Sequence, residues 1–153
     1  MVRFARGTLN FDGNCKPNPG EGGGGYAISN DKNGNWIIKG QHYVGDQCTN
    51  NVAEYFGLIY GLKRLRDSSH FIDHLTIEGD SELVINQLKG TYRMGSPRLR
   101  PLLRRVRQLI DSCKGREFNT ISFRHVPRSS NEEADRLARD AIQEESDWSR
   151  DYY

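Results

Sequence analysis

The strongest constraint on this chain is the order of its hydrophobic periods: a block of strand-like alternation comes first, then helix and strand in turn. From Arg3 to Asp12, Leu9 and Phe11 alternate with Thr8, Asn10 and Asp12, the two-residue period of a half-buried strand. Tyr26–Asn30 and Trp36–Val44 read as two more strands, separated by the turn residues Asp31–Asn35, and the three suit an antiparallel meander. The short cluster Gly20–Gly25 between the first two reads as a turn with close backbone packing. The period then changes. Val52, Tyr55, Phe56, Ile59 and Leu62 recur at helical spacing behind Thr49, Asn50 and Asn51, which suit a helix start. Leu75–Asp80 returns to strand, Ser81–Lys89 is a short helix, Pro97–Cys113 a longer one and Thr120–Val126 a fifth strand. Ser130 and Glu133 fit a capping box ahead of the stripe Ala134, Leu137, Ala138 and Ala141. Strands followed by alternating helices and strands predict an α/β chain, a mixed sheet with helices on its faces.

At 153 residues the chain is long enough for one domain with a real core, and no repeat or linker divides it. Residues 144–153 form a tail of mixed charge, either a fraying helix end or a docked segment. With 35% apolar and 27% charged residues, the composition is that of a soluble globular protein and excludes a disordered or membrane class. No apolar run approaches the roughly 18 residues of a spanning helix. Cys15, Cys48 and Cys113, odd in number and widely spaced, exclude a disulfide framework and a paired C-x-x-C zinc site, and suit a reducing compartment. The N-terminus lacks a signal-peptide core, so a cytoplasmic protein is expected, with the nucleus an open alternative. Composition gives no reason to expect a large apolar interface, and a monomer is the expectation.

A net charge of +2 is too mild to imply a nucleic-acid partner. Its distribution says more. Leu83 to Ile110 contains no acid and carries Lys89, Arg93, Arg98, Arg100, Arg104, Arg105 and Arg107. A run of one sign is an electrostatic footprint for phosphates. Tyr92, amid these charges, suits either the sugars of a bound strand or the core.

The acids fall at informative places. Asp12 closes the first strand and precedes Gly13; Asp80 closes the fourth and precedes a helix. In open α/β sheets, sites lie beyond the carboxyl ends of strands, so these two share a rim if their strands are parallel neighbours. Glu54 and Asp135 lie near the starts of the first and last helices. Taken singly, a strand-end Asp is usually a turn residue, and an acid in a first helical turn usually favours the helix dipole. Gathered together, four carboxylates repel one another unless cations are present. Hard oxygen donors select Mg²⁺ or Mn²⁺, and two such ions about 4 Å apart can run an in-line phosphodiester displacement.

Four segments carry a family resemblance. Phe11-Asp12-Gly13-Asn14-Cys15-Lys16-Pro17-Asn18-Pro19-Gly20, Thr49-Asn50-Asn51-Val52-Ala53-Glu54, Ile77-Glu78-Gly79-Asp80-Ser81 and Asn131-Glu132-Glu133-Ala134-Asp135-Arg136-Leu137-Ala138 occur in one order across nearly the whole chain. Together they resemble type 1 ribonuclease H. The resemblance implies a ribonuclease H-like fold with a five-stranded mixed sheet and helices on both faces. It implies that Asp12, Glu54, Asp80 and Asp135 are catalytic and hold two Mg²⁺ or Mn²⁺ ions. The implied reaction cuts the RNA strand of RNA–DNA hybrids, leaving 5′-phosphate and 3′-hydroxyl ends, with double-stranded RNA as a further candidate substrate. Cys15, Asn18, Thr49, Asn50 and Asn51 then line the RNA strand, where small amides can read a 2′-hydroxyl; Tyr92 and Arg93, in the acid-free run, are further substrate-binding candidates on their charge and position. Helix capping is the plain alternative for Asn50 and Asn51.

The chain also departs from the family. His125 lies ten residues before Asp135, near the spacing of the family's mobile-loop His, but Ile121–Val126 reads as continuous strand. His125 is then more simply a sheet residue, and Arg128 is an alternative cation at that spot. The shortened Val126-Pro127-Arg128 connection is similar to the archaeal-like and plant-like branches. No helix for a separate basic handle is evident between Leu88 and Pro97. Glu78 shares strand parity with Asp80 and could lie near the metals. Two other readings are a different nuclease of the wider superfamily, such as a junction resolvase or integrase core, and a non-catalytic module that binds hybrid or double-stranded RNA. The latter predicts a lost carboxylate, and none is lost.

Overall fold

The computed structural model describes Met1–Tyr153. β1 (Val2–Lys16), β2 (Gly20–Asn30) and β3 (Trp36–Cys48) form the expected antiparallel meander. After α1 (Asn50–Asp67), β4 (His70–Gly79) returns to pair with β1 in parallel. α2 (Glu82–Lys89) and α3 (Arg100–Cys113) lead to β5 (Phe118–His125), parallel to β4, and α4 (Glu132–Glu144) follows. A last strand, β6 (Trp148–Asp151), completes the mixed sheet β5-β4-β1-β2-β3-β6.

The sheet therefore has six strands and not five. The tail is a docked segment: β6 pairs antiparallel with β3, and Tyr152 N–H donates to the Ile37 carbonyl at 2.9 Å. Side chains seat it. Asp147 accepts from Tyr43 N–H at 2.7 Å, Arg64 meets Asp151 at 2.9 Å, and the Tyr153 ring stands edge-on to Phe4 at 5.1 Å.

Two other expectations change. β1 does not end at Asp12; it continues to Lys16 because Gly22–Gly25 are strand, not turn, and pair with Cys15–Asp12. The close packing expected of those glycines is present. A Cβ at Gly25 would stand 2.3 Å from the Ala134 carbonyl oxygen of α4, and one at Gly24 would stand 2.7 Å from the Gly57 nitrogen of α1. Successive residues of a strand face opposite sides, so these absent side chains let α4 and α1 lie against the two faces of β2. The capping box at Ser130 is also absent. Ser130 ends a single 3₁₀ turn, and Asn131 precedes α4 with its side-chain amide donating to the Phe11 carbonyl at 2.8 Å.

The core fills between the sheet and α1, α2 and α3. Leu9, Phe11, Ile28, Tyr55, Leu58, Leu62, Leu75 and Phe118 are wholly buried there. Each such aliphatic or Phe side chain contributes about 1.5–3 kcal/mol by leaving water. The Tyr55 hydroxyl donates to Gln87 at 2.7 Å, tying α1 to α2. No helix is long and apolar enough to cross a membrane.

Candidate active site

The parallel pairing of β1 with β4 ends at Asn10 and Glu78. Two residues on from each stand Asp12 and Asp80, on the same parity, where the strands part. Gly13 brings in the third acid: a Cβ there would lie 2.1 Å from the Glu54 nitrogen, so only glycine lets the first turn of α1 approach β1 so closely. Thr49 caps that turn, its hydroxyl accepting from Val52 N–H at 3.3 Å. Asp12, Glu54 and Asp80 each offer a carboxylate oxygen, and the three oxygens lie within 4.8 Å of one another.

This proximity has an electrostatic consequence. Burial and then the charge of Asp80 push the Asp12 carboxyl up to about 7. Burial and then Asp12 raise Glu54 well above the usual carboxylate range, and burial also raises Asp80, with Arg128 partly opposing the rise. Glu54 Oε2 is buried with no hydrogen-bond partner. A buried, unpartnered carboxylate oxygen beside two more acids is costly in the absence of positive charge. An all-oxygen donor set fits a hard divalent cation.

Asp135 is held differently. It is buried in the first turn of α4, and its backbone N–H donates to the Asn131 carbonyl at 3.1 Å. Asn14 donates to its Oδ1 at 3.0 Å, while the Arg139 and Arg128 guanidinium groups lie 3.3 Å and 3.7 Å from its carboxylate. All four acids nevertheless line one cleft of ≈ 410 Å³, together with Asn14, Asn50, His125 and Arg128.

The other candidates are placed as follows. Cys15 N–H donates to Asn50 Oδ1 at 3.0 Å, and Asn50 N–H donates to Asn18 Oδ1 at 3.2 Å, so the segment after Asp12 is tied to the start of α1. Asn18 and Asn50 are exposed beside the cleft, and Thr49 and Asn51 are half-buried next to them. Tyr92 and Arg93 are exposed on the connection between α2 and α3, outside the cleft lining, and Tyr92 is not in the core. That connection carries no helix. His125 is the last residue of β5, a sheet residue as expected, yet it faces the cleft with Nε2 3.3 Å from the Asp80 carbonyl oxygen. Glu78 is engaged elsewhere: Arg124 pairs with one carboxylate oxygen, and Asn10 donates to the other at 3.2 Å. Asn10 also donates to Asn131 at 3.1 Å, linking β4, β1 and the start of α4 behind the acids. Sequence reasoning missed Asn14, Asn131 and Arg139 as supports. Asn14 shares strand parity with Asp12, and Arg139 is four residues after Asp135, so both signals were present.

Comparison with known proteins gives the chain relatives of the same fold. The family described as reverse transcriptase-like matches residues 10–141. Ribonuclease HI of Halobacterium salinarum is 38% identical over 133 residues, covering 86% of this chain and 62% of that protein, so the chain spans under two thirds of this relative's length. The crystal structure of RNase H1 from the same organism superposes with a TM-score of 0.80 at 36% identity, covering 92% of this chain and 99% of that one. LC11-RNase H1, solved in complex with an RNA/DNA hybrid, superposes with a TM-score of 0.81 at 30% identity, covering 91% and 98%. The chain belongs to the reverse transcriptase-like family and, within it, to the type 1 ribonucleases H.

Proposed function

We propose that this chain hydrolyses the RNA strand of RNA–DNA hybrids, acting as one monomeric domain over residues 1–153 in a reducing compartment such as the cytoplasm. The observation that carries the reading is the convergence of Asp12, Glu54 and Asp80 within 4.8 Å around an unpartnered Glu54 oxygen. Asp12, Glu54, Asp80 and Asp135 would hold two divalent ions, Mg²⁺ or Mn²⁺. When bound, such ions lower the pKa of an attacking water and steady the leaving 3′ oxygen.

The chain's own residues do the rest. The Asn18 and Asn50 amides, with Thr49, Asn51 and the Cys15 backbone, sit beside the cleft where they can exchange hydrogen bonds with a 2′-hydroxyl, the group that separates RNA from DNA. Tyr92, Arg93 and the acid-free run through α3 suit the sugar–phosphate backbone of the DNA strand. His125 and Arg128, both on the cleft rim, serve as auxiliary groups, one able to carry a proton and the other a fixed positive charge. Double-stranded RNA shares the A-form geometry and is the second substrate to try. The test is product chemistry: cleaved RNA should carry 5′-phosphate and 3′-hydroxyl ends. Fragments with a 2′,3′-cyclic phosphate would refute metal-assisted hydrolysis.

A further inference from the structure

The acids of the cleft are divided into two electrostatic classes. Three of them cluster without a salt bridge to any basic side chain, and one oxygen there has no hydrogen-bond partner, whereas the salt bridges of the cleft acids all go to Asp135. The fourth, Asp135, is already compensated. Asn14 occupies Oδ1 at 3.0 Å and the Arg139 guanidinium lies 3.3 Å from Oδ2. The two donors differ in kind. Asn14 is neutral, so it orients the carboxylate without altering the charge of the site. Arg139 brings a full positive charge, and it is built into α4 one turn beyond the acid it pairs with. Arg128 also approaches Asp135, at 3.7 Å, but its side chain is 75% exposed on the short connection after β5 and is free to leave.

From this we infer that Arg139 is a positioning residue that weakens cation binding at the Asp135 side of the cleft, so that this side fills only at higher metal concentration than the Asp12–Glu54–Asp80 side. The inference rests on the metal-centre reading above. Its physical basis is that a cation drawn to Asp135 meets the Arg139 charge within a few ångströms. No other residue pairs with Arg139, so the pairing with Asp135 accounts for its placement. Arg139 is exposed at the surface of α4, so replacing it removes no buried packing.

The test is titration of the metal-free protein with Mn²⁺, following free Mn²⁺ by electron paramagnetic resonance. Two classes of binding are expected. Arg139→Gln should tighten the weaker class by about threefold to tenfold and leave the tighter class unchanged. Arg139→Lys, which keeps the charge, should remain close to the parent. A weaker class that is unchanged or loosened in Arg139→Gln, or absent from both proteins, would overturn the inference. Asp12→Asn separates this from the underlying reading. Loss of the tighter class in that variant upholds the metal centre whatever Arg139 does. Mn²⁺ binding that survives Asp12→Asn in full would sink the metal centre and the inference together.

Discussion

Asp12→Asn should make the metal-free protein more stable at pH 8 while removing its activity. The Asp12 carboxyl is pushed from its ordinary value of 3.8 up to about 7 by burial and by Asp80. A raised pKa means the folded state binds the proton more tightly than the unfolded chain does. That contribution to stability is fully present below about pH 3.8, falls as pH rises, and is gone above about pH 7. A shift of about three units corresponds to about 4 kcal/mol across that window. The amide that replaces the carboxylate would carry no charge at any pH, yet its oxygen can still accept from Gly13 N–H, now 2.9 Å from Asp12 Oδ1. Chemical denaturation in EDTA should therefore show the variant more stable by about 2–4 kcal/mol at pH 8, and the two proteins nearly equal at pH 4. Saturating Mg²⁺ should close the gap from the parent's side only, since a ligand at 100 times its Kd adds about 2.7 kcal/mol. A variant equal to or less stable than the parent at pH 8 in EDTA would refute the reasoning.

Three further outcomes follow from the fold and the charge distribution. Gly25→Ala would drive a methyl group to 2.3 Å from the Ala134 carbonyl and should cost about 3 kcal/mol or more; Gly95→Ala, with open space around it, should stay within about 0.5 kcal/mol in the same thermal melts. Deleting Asp147–Tyr153 removes β6, the Arg64–Asp151 pair and the Tyr153–Phe4 contact. Calorimetry should show Tm lowered by about 3–10 °C, with activity at 20 °C retained because the tail meets β1 at Phe4, near the start of the strand and away from Asp12. Arg93→Ala should weaken hybrid binding and reduce the slope of log K against log salt by about one phosphate's worth, near 0.9; an unchanged slope would remove Arg93 from the backbone contacts.

The main architecture was legible because local period and tertiary layers agree. Leu9 and Phe11 alternate for the same reason that they are buried, and the helical recurrence through Val52 and Ile59 marks the face of α1 that meets the sheet. The parity of Asp12 and Asp80 placed two acids on one rim once β1 and β4 proved to be parallel neighbours. What was not legible depends on partners distant in the chain. β6 has no apolar alternation; its place is set by Tyr43, Ile37 and Arg64, contributed by β3 and α1. The glycines of β2 read as a turn because their purpose, space for α1 and α4, lies on other elements. Asn131 overrides the capping signal at Ser130 through a bond to Phe11, 120 residues away. Arg139 stands four residues after Asp135, a spacing visible in the sequence, but nothing local marks that carboxylate as buried until α4 is docked.

The central claim is tested most directly by incubating the protein with strand-labelled RNA–DNA hybrid in Mg²⁺ or Mn²⁺, beside matched RNA–RNA and DNA–DNA duplexes and the Asp12→Asn protein. Metal-dependent cutting of the RNA strand of the hybrid is expected, with no cutting of its DNA strand and loss of activity in the variant. Folded protein that binds the hybrid but cuts nothing with either metal would contradict it and leave a binding module in its place.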